Sequence, residues 1–223
     1  MRLSKRHTCI AISTTGLDSQ SDRIVEIAFV KWRGRSAIYN HSYFDPGRSV
    51  SDEAYHRHRL GAKFLKGYDP LGEEDAKAIV EVIGDSILVA FKAEFVLEFL
   101  NSELNRHGVF LPRSLLSVSL QPVFSELFGV DRVSMYQVAQ ELGMQGYEDA
   151  VAVKKDLKLD HLPAFGSAAV NARRVAVLSR FVKIKGNQVT LRPEHSSEEQ
   201  KSVSFGMVII LAACVALIGF LAT

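Results

Sequence analysis

The sequence predicts a mixed α/β domain followed by a membrane-spanning helix. Three observations carry that reading. Three β-rich stretches open the chain, a short apolar run and amphipathic helical patterns follow them, and residues 203–223 hold no charge at all. With 47% hydrophobic and 23% charged residues among 223, the composition is globular and excludes collagen-like, disordered and disulfide-scaffold proteins. A net charge of +2 is far from that of a nucleic-acid coat protein, so a nucleic-acid partner needs a local patch.

Residues 8–13 (TCIAIS) read as a short strand, broken by the turn Thr14-Thr15-Gly16-Leu17-Asp18. Residues 23–32 and 36–44, rich in β-branched and aromatic side chains, read as two further strands across a hairpin gap at Arg33-Gly34-Arg35. Asp45-Pro46-Gly47 closes this meander. Ser51 followed by Asp52 and Glu53 is a cap with an acidic first turn, and opens a short helix. Helical spacing runs over 72–83 through Ala76, Ile79, Val80 and Ile83. Residues 86–91 (SILVAF) form a fourth, buried strand. Residues 93–107 are an amphipathic helix with Phe95, Phe99, Leu100 and Leu104 on one stripe, stopped by Gly108. Further helical patterns cover 120–128, 134–142 and 147–159. Beyond Leu162-Pro163 the chain changes character, with a small hairpin expected from 182–184 and 188–191.

These patterns divide the chain into a domain over 1–160, a basic juxtamembrane linker over 161–202 and a transmembrane helix over 203–223. As a helix the last segment reaches about 31 Å, close to the hydrocarbon thickness of about 30 Å; the alternative is a buried C-terminal core helix. Arg173, Arg174, Arg180, Lys183, Lys185, Arg192 and Lys201 precede it. Positive charge stays inside, so the chain is expected to be a single-pass protein with a C-terminal anchor and a cytoplasmic domain. The same charges suit anionic lipid headgroups or a solvated linker face. Ala212, Ala216 and Gly219 lie near one another on this helix, a spacing of small residues that suits helix dimerisation. Cys9 and Cys214 make no disulfide framework and no zinc spacing, and a reducing compartment fits. The N-terminus lacks an apolar run of signal-peptide length.

The element order, together with ISTTGLDSQSDRIVEIAFV, resembles the DEDD-type 3′–5′ exonucleases, nearest the proofreading subunit of bacterial DNA polymerase III, over roughly residues 8–160. The landmarks are Thr14-Thr15-Gly16-Leu17, Asp22 to Ile27, His58, Phe95 with Phe99-Leu100-Asn101, and Glu148-Asp149-Ala150. The resemblance implies a ribonuclease-H-like mixed sheet flanked by helices. It also implies two-metal phosphodiester hydrolysis, in which acidic side chains hold two divalent ions and a His acts as general base.

The same resemblance places non-catalytic residues in the motifs. The Asp-x-Glu of the first strand falls on Ala11 and Ser13, which the two-residue strand period puts on one face. The carboxylate of the second motif falls on Val96 and the His of the third on Met144, leaving Asp149. Glu94 lies about 200° from Val96 around a helix and does not replace it. Glu26 matches a structural position, not a metal ligand. No catalytic residue, metal or cofactor is therefore expected, and Mg2+ or Mn2+ enters only if an active site of non-standard composition exists. The cleft candidates are Thr14, Thr15, Gly16, His58, Lys92, Phe95 and Asp149. Lys92 is a candidate stand-in for the lost metal charge beside Asp149; the alternative is that it points to solvent. Ser13 has no obvious triad partners, the histidines are scattered, and no glycine-rich phosphate loop appears.

Three functions stay open. The first is a non-catalytic module binding single-stranded nucleic acid, a nucleotide or a protein segment. The second is an active, membrane-attached 3′–5′ exonuclease with a displaced metal site. The third is an interaction protein using its surface, the bilayer anchor and a protein partner or second copy.

Overall fold

The β-branched and aromatic runs at the start of the chain pair with one another because each buries one or both faces. Residues 7–33, 36–142, 167–180 and 182–191 are described by the computed structural model. Strand β1 (His7–Thr14) pairs antiparallel with β2 (Ile24–Arg33), and β2 with β3 (Ser36–Tyr43). The short β4 (Ile87–Ala90) and β5 (Ser117–Ser119) join on the other side of β1, all parallel, giving the order β3-β2-β1-β4-β5. β4 is buried on both faces, which explains its unbroken apolar run.

The strand period of two sorts β1 between two cores. Cys9 and Ala11 face one layer, Ile10 the other. The second layer holds α3 (Glu73–Ile83) and α4 (Ala93–Arg106), whose Phe99, Leu100 and Leu104 are fully buried, as the helical stripe requires. The short helices α1 (Asp52–His58) and α2 (Ala62–Leu65) follow the meander, and Ser51 caps α1 by accepting from the Ala54 amide at 3.2 Å. The first layer is built by α5 (Gln121–Phe128), α6 (Met135–Glu141) and a helix α7 (Ala168–Leu178).

Helix α7 corrects the division of the chain. Residues 167–191, read from sequence as linker, belong to the fold: α7 packs across β1 and β2, and Ala168, Val170, Ala172 and Leu178 are fully buried. Arg174, counted among the basic approach to a membrane, is 2% exposed. The expected hairpin is present as β6 (Val182–Lys185) and β7 (Gln188–Leu191), turning at Gly186 with φ +62°, and it packs against α5 and β5. Among the described residues no helix is long and apolar enough to cross a membrane. The helix expected over 147–159, Met144, Asp149 and the anchor over 203–223 lie outside the described residues.

Candidate functional site

Strands β1 and β4 are parallel, so their C-terminal ends lie side by side, and the chain leaves both through turns. Crevices at such ends are where open α/β sheets place ligands. Here they open into a cleft of about 770 Å³, the size of a small-ligand site. Its lining includes Ala11, Ser13 and Thr14 of β1, Gly16, His58 of α1, and Lys92, Phe95 and Val96 at the start of α4. Six of the seven cleft candidates fall within the described residues, and five of them line this cleft.

Thr15 is the exception and corrects the sequence reading. It is 1% exposed and does not line the cleft. Its hydroxyl donates to Asp22 Oδ1 at 2.7 Å and accepts from the Arg23 amide at 3.0 Å, so it ties the turn to β2. Thr14 donates to the Gly16 carbonyl at 2.6 Å. A Cβ at Gly16 would sit 2.7 Å from the carboxyl carbon of Asp22, so a larger residue there would displace the carboxylate from the Thr15 hydroxyl and the Asp18 amide.

Below the cleft floor lies a buried charge. Glu26, fully buried, is the register partner of Ser13. Ser13 donates its hydroxyl to Oε2 at 2.7 Å, and His41 Nε2 donates to Oε1 at 2.9 Å. The start of α7 supplies the rest: the Ser167 hydroxyl at 2.8 Å, the Ala168 amide at 2.6 Å and the Ala169 amide at 3.3 Å. Burial pushes this carboxyl up, but His41, Ser13 and the Ala168 amide outweigh it and hold it below the ordinary carboxylate range. A helix N-terminus is a natural place for such a carboxylate. Glu26 is thus structural, and it docks α7, whose Asn171 and Val175 line the cleft.

His58, 4% exposed, is committed on both ring nitrogens. Nδ1 accepts from the Leu60 amide at 3.0 Å and Nε2 donates to the Thr14 carbonyl at 3.1 Å. Burial lowers its pKa, and the neutral ring has no free acceptor with which to take a proton from water. Glu94 turns away from the cleft and accepts from Ser119 Oγ at 2.7 Å, while Ser119 Oγ accepts from the Ala93 amide at 2.7 Å and so caps α4. Lys92 is exposed on the cleft lining; desolvation, then the Arg132 and Arg57 guanidiniums, pull its ammonium below the ordinary lysine range.

Sequence reasoning missed Ser134, Met135 and Tyr136 at the start of α6, and Asn171 and Val175 of α7, which complete the wall. The available signals were Ser134 three residues before Gln137, a capping box, and Ser167 before an Ala- and Val-rich helical run.

A divalent pair needs oxygen ligands, including at least one or two carboxylates. Ala11 and Val96 carry no donor and the Ser13 hydroxyl is committed to Glu26. Among the described residues no group of three or more His, Cys, Asp or Glu side chains is placed to share an ion, so the described part of the cleft does not fit a metal pair. The carboxylates that do line it, Asp18, Asp22 and Glu53, are held by turn amides and hydroxyls or by arginines.

The chain is similar to the DNA polymerase III subunit epsilon of Rickettsia prowazekii, 36% identical over 105 residues, covering 46% of this chain and 45% of that protein. It is similar to the PolC-type DNA polymerase III of Listeria welshimeri, 32% identical over 99 residues, covering 44% of this chain and 7% of that protein. The matched stretch thus spans less than half of these relatives. In fold it resembles E. coli exonuclease I in complex with a dT13 oligonucleotide, with a TM-score of 0.55, 11% identity and coverage of 79% of this chain and 40% of that one. An apo exonuclease I structure gives a TM-score of 0.53 at 12% identity, covering 80% of this chain and 42% of that one. Residues 13–146 match the RNase_T exonuclease family model, and the chain belongs to that family.

Proposed function

We propose that this chain is a membrane-anchored exonuclease-like module that binds nucleic acid or a nucleotide in its cleft without hydrolysing it. One observation carries the reading. The cleft floor is made by Ala11, Ser13 and Val96, and the one hydroxyl among them donates to Glu26. Family membership and the likeness to an oligonucleotide complex support nucleic acid as the ligand class. The charge-free segment 203–223 supports an anchor, and Arg192 and Lys201, the basic residues between the hairpin and that segment, support a domain in the cytoplasm.

An active 3′–5′ exonuclease is the second reading, favoured by Asp18, Asp22 and Glu53, which line the same cleft. The deciding assay is hydrolysis of labelled single-stranded DNA and RNA by the full chain, with Mg2+ or Mn2+. No release of nucleotides is expected; turnover that EDTA stops would replace the first reading by the second. Cell fractionation tests the anchor. The full chain is expected with membranes, and Leu211→Arg is expected to weaken insertion by about 3 kcal/mol; a fully soluble wild type would remove the anchor from the proposal.

A further inference from the structure

We infer that the cleft captures the phosphate of a nucleotide, free or at the end of a single strand, without divalent metal, with the Lys92 ammonium and the Arg57 guanidinium supplying the positive charge. This deepens the binding reading above and rests on it.

The two cations line one cleft from different elements, Lys92 at the start of α4 and Arg57 in α1. Among the described residues no carboxylate pairs with Lys92, whereas two guanidiniums are near enough to oppose its charge. An ammonium that faces like charges across a cleft wall gains more from an anion than an isolated one in open solvent does. Arg57 pairs with Glu53 at 3.1 Å, with both side chains 66% exposed, an arrangement that contributes little and leaves other guanidinium donors for a ligand. The floor beneath, Ala11 and Val96, is apolar and almost fully buried. Carboxylates are also present on the lining: Asp22 accepts from Thr15 and the Asp18 amide, Asp18 from Ser21 and the Gln20 amide, and Glu53 from Arg57. Asp18 and Asp22 belong to the turn after β1, whereas the two cations stand on α1 and at the start of α4. Tyr136, 52% exposed, lines the same cleft and presents an aromatic ring to a base. A cation, an aromatic ring and an apolar floor in about 770 Å³ suit a nucleoside phosphate better than a bare anion.

The test uses the full chain in detergent micelles and fluorescein-labelled dT8, read by fluorescence anisotropy, with dTMP and unlabelled dT8 as competitors. Binding is expected to be the same in excess EDTA and in Mg2+. Lys92→Met is expected to weaken binding about tenfold and to lower the slope of log affinity against log salt by about 0.7, the loss of one single-strand phosphate contact. Lys92→Arg is expected to keep the slope, and unchanged thermal midpoints show that both variants are folded. Competition by dTMP makes a free nucleotide sufficient; competition by dT8 alone makes the strand end the ligand, and both carry the inference. Binding that EDTA abolishes, or a Lys92→Met variant with wild-type affinity and slope, overturns the inference while the binding reading stands. No binding of either probe by the wild type overturns the binding reading itself.

Discussion

The cleft floor and the Glu26 node lie back to back, joined by one hydroxyl, and they treat charge in opposite ways. Glu26 is fully buried yet remains ionised, because His41, two serines and two amides at the start of α7 point at it. The floor above it offers no carboxylate from Ala11, Ser13 or Val96. A buried charge persists where the chain itself supplies the compensating donors. Where compensation would have to come from outside, as with metal ions, neutral side chains stand instead. Ser13 belongs to both regions: it lines the cleft and its proton serves the node.

Breaking the node is expected to have the largest effect. Glu26→Ala leaves two amides, two hydroxyls and an imidazole without their acceptor, and should destabilise the fold by about 3–5 kcal/mol in urea titration. Its pH dependence follows from the lowered pKa. A depressed carboxylate stabilises fully above its unfolded value, ordinarily 4.5, and that stability disappears as pH falls through the lower native value. Wild type should therefore lose more stability than Glu26→Gln on acidification below pH 4.5.

The floor can be sharpened into the opposite state. Ala11→Asp, Ser13→Glu, Val96→Asp and Met144→His in one chain put a carboxylate against Glu26 where a donor had been. Without metal this variant should be about 2–4 kcal/mol less stable than wild type, through like-charge contact and a lost hydrogen bond. Mn2+ should restore much of that loss and give a saturable calorimetric isotherm, whereas wild type should give none. An isotherm for wild type would show that residues outside Ala11, Ser13 and Val96 hold the ions.

The smallest effect concerns His58, on the cleft wall. Its native pKa is lowered by burial, so the unfolded chain takes up the proton first as pH falls below 6.5. Stability should decline from there down to the native pKa. His58→Asn should lose this slope and about 1 kcal/mol of hydrogen bonding at neutral pH. Equal slopes in thermal melts at pH 5 and 7 for both proteins would locate the titration elsewhere.

Much of the architecture was legible because it is local. The alternation in Cys9, Ile10 and Ala11 sorts β1 between two cores, the stripe of Phe99, Leu100 and Leu104 buries α4, and Ser51 caps α1, each within a few residues of sequence. Placing Ala11 and Ser13 on one face needed only the strand period. The hairpin over 182–191 was legible, but the helix Ala168–Leu178 before it was not. Arg173, Arg174 and Arg180 in a short Ala- and Val-rich run look like an approach to a membrane, and only the sheet surface offered by β1 and β2 makes that run a core helix.

By itself the sequence determined β1 to β4, α1, α3 to α6 and the hairpin β6–β7, their apolar faces and the neutral residues at the cleft floor, since periodicity and residue type are properties of neighbours along the chain; α2, β5 and α7 were not determined by it. Only the tertiary structure decided that Thr15 turns inward to Asp22, that α6 and α7 complete the cleft wall, and that Glu26 is the anchor of α7. Those outcomes depend on partners up to 143 residues apart. A buried polar group takes whichever donor or acceptor the fold brings within about 3 Å, and chain distance does not specify that partner.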